Sequence, residues 1–288
     1  MKNKFQIFAE ITKLRITIFV TVTTMFGFIA STDSINSKII LPALGILLLA
    51  CGSAALNHYQ ERKTDVLMER TKNRPIPSGK ISAQSTIRLA LALVVLGSIL
   101  LFIGSGLLAL SFGLLNLIWY NAVYTPLKKV SPLAIIPGSL VGAIPPVVGW
   151  VAGGGNLLDP QIILISFFFF IWKIPHFWLL LMVLDKDYQK AGFPTLTQIF
   201  SQQQLGRITF VWIIATAVTG LLLPLFQISH NQFVNYSLFV AALLLAFKSI
   251  NLLQQTHETS AFRFAFRSIN YFALFVVLVV SIDKLFVS

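Results

Sequence analysis

Apolar residues in this chain run in long blocks, falling at roughly 16–32, 38–57, 87–104, 106–124, 132–152, 160–184, 207–226, 233–250 and 265–283. Each block approaches the ~20 residues that cross a ~30 Å hydrocarbon core as a helix, so the pattern predicts nine spans. The expected fold is all-α: a polytopic membrane protein of about nine transmembrane helices, formed as one domain over residues 1–288. Only Gly104, Ser105 and Gly106 separate the third block from the fourth. A single span across both would overshoot the bilayer, so a turn is expected there.

Composition agrees with lipid as the solvent. Of the 288 residues, 56% are hydrophobic and only 11% charged, and mean hydropathy is +0.80. A soluble domain of this size has no surface for that balance. The formal charge of +12 raises nucleic acid as a partner, but topology accounts for it instead. With the amino end inside, the N-terminal arm and the loops after spans two, four, six and eight hold 19 of the 22 Lys and Arg residues. Lys38 and Lys284 fall on the other side and Lys173 lies within span six. The split predicts a cytoplasmic amino end and an external carboxyl end. The start reads as a retained helix and lacks the Arg- and Ser-rich character of a transit peptide, which favours a bacterial cell (inner) membrane over an organelle. Cys51 is the only cysteine, so one chain holds neither a disulfide nor a cysteine metal site.

Span two ends in Asn57-His-Tyr-Gln-Glu61-Arg62-Lys-Thr-Asp65, followed by Arg70, Lys72 and Arg74. Asn57, Glu61 and Asp65 are spaced i, i+4, i+8, drifting only ~40° per step over a ~12 Å rise, so a continuing helix puts one amide and two carboxylates on one face. Such oxygen donors suit Mg²⁺, which takes its remaining ligands from water and substrate phosphate. The basic cluster of Arg62, Arg70, Lys72 and Arg74 suits a diphosphate. A charge-mixed loop obeying membrane topology is the plainer account of those cations, whereas carboxylates at the hydrocarbon boundary point to a task.

Span six carries Trp172-Lys173-Ile-Pro-His176-Phe-Trp and ends at Asp185-Lys-Asp187-Tyr. His176 and Asp187 are eleven residues apart and share a helical face, with His176 ~16 Å deeper and Lys173 a turn deeper again. Intramembrane His and Lys are functional candidates by default; a hydrogen bond to a neighbouring helix is the plain alternative for each. Lys13, before span one, and Lys128, after span four, share the rim with both acidic ends. Gly138 and Gly142 form a G-x-x-x-G, followed by Pro145, Pro146 and Gly149, and the run reads as close helix packing and a kink.

These segments resemble the UbiA superfamily of intramembrane prenyltransferases, whose first motif is Asn-x-x-x-Asp-x-x-x-Asp; Glu61 stands at its first aspartate. Met68-Glu-Arg-Thr-Lys-Asn-Arg-Pro-Ile-Pro-Ser-Gly, Tyr124-Thr-Pro-Leu-Lys128, and Trp172 to Pro194 are similar to its heme-farnesylating branch in particular. Asp187 has only Asp185 nearby and Ala191 four residues on, so the superfamily's second acidic motif is incomplete. The resemblance implies a bundle around a cavity near the cytoplasmic rim, with heme b and farnesyl diphosphate as substrates, heme O as product, and a heme A synthase downstream. It further implies Mg²⁺ on Asn57, Glu61 and Asp65, catalytic roles for these with His176 and Asp187, and substrate contacts from Lys13, Arg62, Arg70, Lys72, Arg74, Lys128, Lys173 and Asp185. Prenylation of an aromatic quinone precursor is the alternative within the class. Transport of a small solute is the alternative outside it, and needs polar groups toward the outer side that spans seven to nine scarcely offer.

Overall fold

A computed structural model describes residues 3–253 and 259–286. Lys2, one of the basic residues assigned above to the amino-terminal arm, lies outside them. The short α1 (Lys4–Ile11) precedes α2 (Leu14–Thr32), α3 (Ile40–Asp65), α4 (Ala83–Ile118), α5 (Leu140–Ala152), α6 (Pro160–Lys190), α7 (Gln202–Leu222), α8 (Gln232–Ser249) and α9 (Thr259–Phe286). No strand occurs among the described residues. Among the described residues, eight helices are long and apolar enough to cross a membrane.

The difference from nine lies in one element. The stretch Ala83–Leu127 is 45 residues long, about twice what a bilayer needs. It is interrupted at Gly106, whose φ of 75° and ψ of −172° belong to a region essentially restricted to glycine. The chain reverses there: Leu101 lies against Gly113 across the bend. Residues before the bend run antiparallel to α3, with Gly97 beside Leu49 and Gly104 beside Leu41. Residues after it run parallel to α3, Gly113 facing Ile46 and Asn121 bonding Ser53. The chain therefore makes nine traverses among the described residues, with the turn at the Gly-Ser-Gly.

Lipid is the solvent that fits the surface. α4, within the stretch of highest mean hydropathy (2.5), exposes Leu91, Val95, Ile99, Phe102, Ile103 and Leu107; an apolar patch of that extent is untenable in water. The interior is built by close approach. A Cβ at Gly149 would overlap the Thr24 carbonyl oxygen, and one at Gly27 the Pro146 carbonyl, so α2 and α5 pack backbone to backbone. The expected pair packs closely too, though against side chains and not backbone: a Cβ at Gly138 would strike the Tyr124 ring and one at Gly142 would crowd the stem of Lys173. From α2 the helices pack in sequence through α9, which returns to α2. At one end Lys284 pairs with Asp33 (2.8 Å) and Asp283 accepts from the His230 and Asn231 amides. The opposite end gathers the loops rich in Lys and Arg.

Candidate functional site at the basic rim

α3 continues unbroken to Asp65, so the predicted face forms: Asn57, Glu61 and Asp65 are all buried. Three cations from three other segments meet it. Lys13 Nζ donates to Asn57 Oδ1 (2.6 Å). Lys128 pairs with Glu61. Arg74 Nη1 donates to both Asp65 carboxylate oxygens at 2.8 Å. Three cations face two carboxylates, so the cluster has formal charge +1 when all are ionised. Burial, the largest influence, pulls Lys13 down to about 7.

Local geometry explains how each group arrives. Lys13 has φ 50° and ψ 47°, the left-handed conformation, at the junction of α1 and α2. A non-glycine residue is rarely found there, at a cost of order 1–3 kcal/mol, and the break turns its side chain inward. Arg74 lies in the loop after α3, which folds back because Thr71 Oγ1 donates to the Asp65 carbonyl (2.8 Å) and Met68 is buried. Lys128 follows a π-helical stretch, Trp119–Tyr124, a widened turn of the kind found at functional sites.

That stretch supplies residues that sequence reasoning missed. Asn57 Nδ2 donates to Thr125 Oγ1 (3.1 Å), which itself donates to the Tyr120 carbonyl (2.8 Å). The Asn57 amide is thereby fixed with its oxygen toward Lys13. Tyr120 and Tyr124 stack at 5.8 Å, and Tyr124 stacks on Phe177 at 5.7 Å. Lys13 lies over the Tyr120 ring and Lys128 over those of Tyr124 and Phe193. An aromatic wall thus runs from the cationic rim to His176, whose ring is 5.6 Å from that of Phe177. The advance signals were Tyr124 and Thr125 in the Tyr-Thr-Pro-Leu-Lys segment and Phe177 and Phe193 within Trp172 to Pro194.

The remaining candidates fall into three places. Asp187 reaches the rim, accepting from the Arg70 backbone amide (3.4 Å), while the Arg70 guanidinium bonds the Tyr188 hydroxyl (3.2 Å). These contacts clip the loop after α3 to the end of α6. Gly192, at φ 75°, then reverses the chain so that Phe193 is buried beside Tyr188 and Lys128. Three candidates are not in the cluster: Arg62 folds onto Tyr59, Lys72 pairs with Glu69 (2.5 Å) on the exposed surface, and Asp185 is taken up by Gln189 and Thr197. Each is satisfied locally, away from the buried amide-carboxylate face. Lys173 and His176 lie deeper, Lys173 Nζ over the Trp172 and Phe177 rings at 5.1 and 4.9 Å. Pro175 does not end α6.

The donor set is chemically suited to a hard divalent cation: one oriented amide oxygen and two buried carboxylates, with cations alongside for an anionic substrate. No cluster of three or more His, Cys, Asp and Glu able to hold a metal occurs among the described residues.

Comparison with known proteins places these features in context. The model of the UbiA prenyltransferase family matches residues 19–270. The chain is 30% identical over 276 residues to a protein of Oleidesulfovibrio alaskensis named protoheme IX farnesyltransferase, covering 96% of this chain and 95% of that one. It is 32% identical over 284 residues to a Christiangramia forsetii protein of the same name, covering 96% and 93%. Among solved structures, a digeranylgeranylglyceryl phosphate synthase superposes with a TM-score of 0.79 at 15% identity over 98% of both chains. A UbiA homolog from Archaeoglobus fulgidus bound to GPP and Mg²⁺ gives 0.64 at 14% identity over 96% of this chain and 99% of that one. At such identities the likeness is one of fold.

Proposed function

Since the chain belongs to the UbiA prenyltransferase family, we propose that it transfers the farnesyl group of farnesyl diphosphate to a vinyl group of heme b, giving heme O. The reading is carried by near-full-length identity to proteins named protoheme IX farnesyltransferase, in a chain whose buried amide-carboxylate face meets three cations. Neither a quinone precursor as acceptor nor solute transport finds comparable support.

Asn57, Glu61 and Asp65 would hold Mg²⁺, which neutralises the diphosphate and improves it as a leaving group. Lys13, Arg74 and Lys128 hold the diphosphate oxygens, with Arg70 at the rim, and retain the charge that builds on them as the carbon–oxygen bond breaks. The allylic carbocation left behind faces the Tyr120–Tyr124–Phe177 wall, whose π faces stabilise positive charge by about 0.5–2 kcal/mol per ring. A heme vinyl carbon attacks C1 of that cation. Water then captures the new cation beside the porphyrin and releases a proton, giving the hydroxyethylfarnesyl group. A dry interior keeps water from the first cation. The site opens to the cytoplasmic side of a bacterial cell membrane, and heme O passes to an enzyme that oxidises it further, a heme A synthase.

Incubating membranes containing the chain with labelled farnesyl diphosphate and heme b tests the assignment. Label in heme O is expected; label entering a quinone precursor but never heme overturns it.

A further inference from the structure

His176 Nδ1 lies 2.6 Å from Oδ1 of Asn270 on α9. The amide cannot be turned round, because Asn270 Nδ2 donates to the Phe266 carbonyl at 2.7 Å, and a carbonyl only accepts. Oδ1 therefore faces His176 and carries no proton, so Nδ1 must be the protonated ring nitrogen. Asn270 is neutral, and no carboxylate contacts the ring among the described residues, so an imidazolium would have no counter-charge. A neutral imidazole protonated at Nδ1 has its lone pair on Nε2, and Nε2 has no hydrogen-bond partner among the described residues. The rings of Trp172, Phe266 and Phe177 pack against the imidazole, their centroids 4.9, 5.0 and 5.6 Å from its own. A lone pair without a partner, on an imidazole set among aromatic rings, suits a metal carried at the centre of a planar macrocycle.

We propose that Asn270 is a positioning residue: it locks His176 in the Nδ1–H tautomer, so that Nε2 is presented as an axial ligand to the heme iron. A second hydrogen bond that fixes tautomer and ring orientation is the usual partner of a metal-binding histidine. This rests on the proposed reading that heme b is the acceptor. Iron ligation at His176 fixes the macrocycle's centre, and the aromatic wall leads from there to the cationic rim where the farnesyl chain is activated.

The test uses the full chain in lipid nanodiscs loaded with ferrous heme b, read by its iron–histidine stretching band and by titration of heme, with heme O formation measured in the same samples. His176→Gly is expected to remove the band and added imidazole to restore it. Asn270→Leu is expected to weaken heme binding about ten- to a hundredfold and to lower the band's frequency. Asn270→Asp keeps an accepting oxygen and, being a stronger acceptor, is expected to retain binding and raise the frequency. Retained binding of magnesium pyrophosphate shows that each variant is folded. A band that survives His176→Gly, or an unchanged band and affinity in Asn270→Leu while heme O is still made, overturns this inference alone. Wild-type chain that makes no heme O but prenylates another acceptor overturns the proposed function as well.

Discussion

Asp65 is the residue where the two demands on the rim are most exposed, because it is buried and holds Arg74 through both oxygens. Replacing it with asparagine removes a proposed metal ligand and leaves Arg74 without its counter-charge. Asp65→Asn is expected to cut heme O formation about 100-fold or more, since metal stabilisation of the leaving group contributes several kcal/mol, and to lower the midpoint of thermal unfolding in detergent. In the double variant Asp65→Asn/Arg74→Gln stability is expected to return, while activity stays low because a proposed metal ligand and a proposed diphosphate contact are both gone. Recovery of activity in the double variant would remove Asp65 from the metal set. The i, i+4, i+8 spacing made the face of Asn57, Glu61 and Asp65 legible in the sequence, because helical phase is a local property. Thr125 orienting Asn57, or Asn270 meeting His176, was not legible, since both depend on the register between helices far apart in the chain.

Hydrophobic blocks marked the elements well, as lipid requires every spanning segment to satisfy its backbone internally. The turn at Gly104-Ser105-Gly106 was foreseen, but its cause is visible only in the backbone: Gly106 takes dihedrals that a side chain resists. Gly106→Val is expected to cost about 1–3 kcal/mol of stability, seen as a lower unfolding midpoint, while activity at low temperature remains close to wild type because the bend lies at the end opposite the acidic face. Close packing at Gly149 was legible in the glycine-rich run that begins at Gly138, but its partner, the Thr24 carbonyl on α2, was not, since that depends on the register between two helices. Gly149→Leu is expected to push α2 from α5 and abolish both folded yield and activity, read by size-exclusion chromatography. If that variant elutes and turns over as wild type does, the two helices are not in backbone contact.

At the level of the whole molecule the charge count predicts an orientation, and the structure supplies clean reporters of it. Cys51 is buried, so a cysteine introduced on the surface can be labelled alone. Ser78→Cys, in the exposed loop after α3, is expected to react with a membrane-impermeant maleimide only in inside-out vesicles, and Ile35→Cys, beyond α2, only in right-side-out ones. The opposite result reverses the proposed topology. The same whole-chain view gives the three pairs at the rim a further meaning. Lys13, Arg74 and Lys128 come from different parts of the chain and occupy the very oxygens a metal would need. These pairs make the rim an ion exchanger: a lone Mg²⁺ must displace ammonium and guanidinium groups, and a lone diphosphate must approach two carboxylates. Supplied together, each counter-ion collects the group the other releases. Mg²⁺ and pyrophosphate should therefore strengthen one another's binding by the same factor, about 5- to 150-fold for a typical coupling, in paired calorimetric titrations. A hydrolytically wasteful encounter with only half of the substrate is discouraged by the same arithmetic of charge.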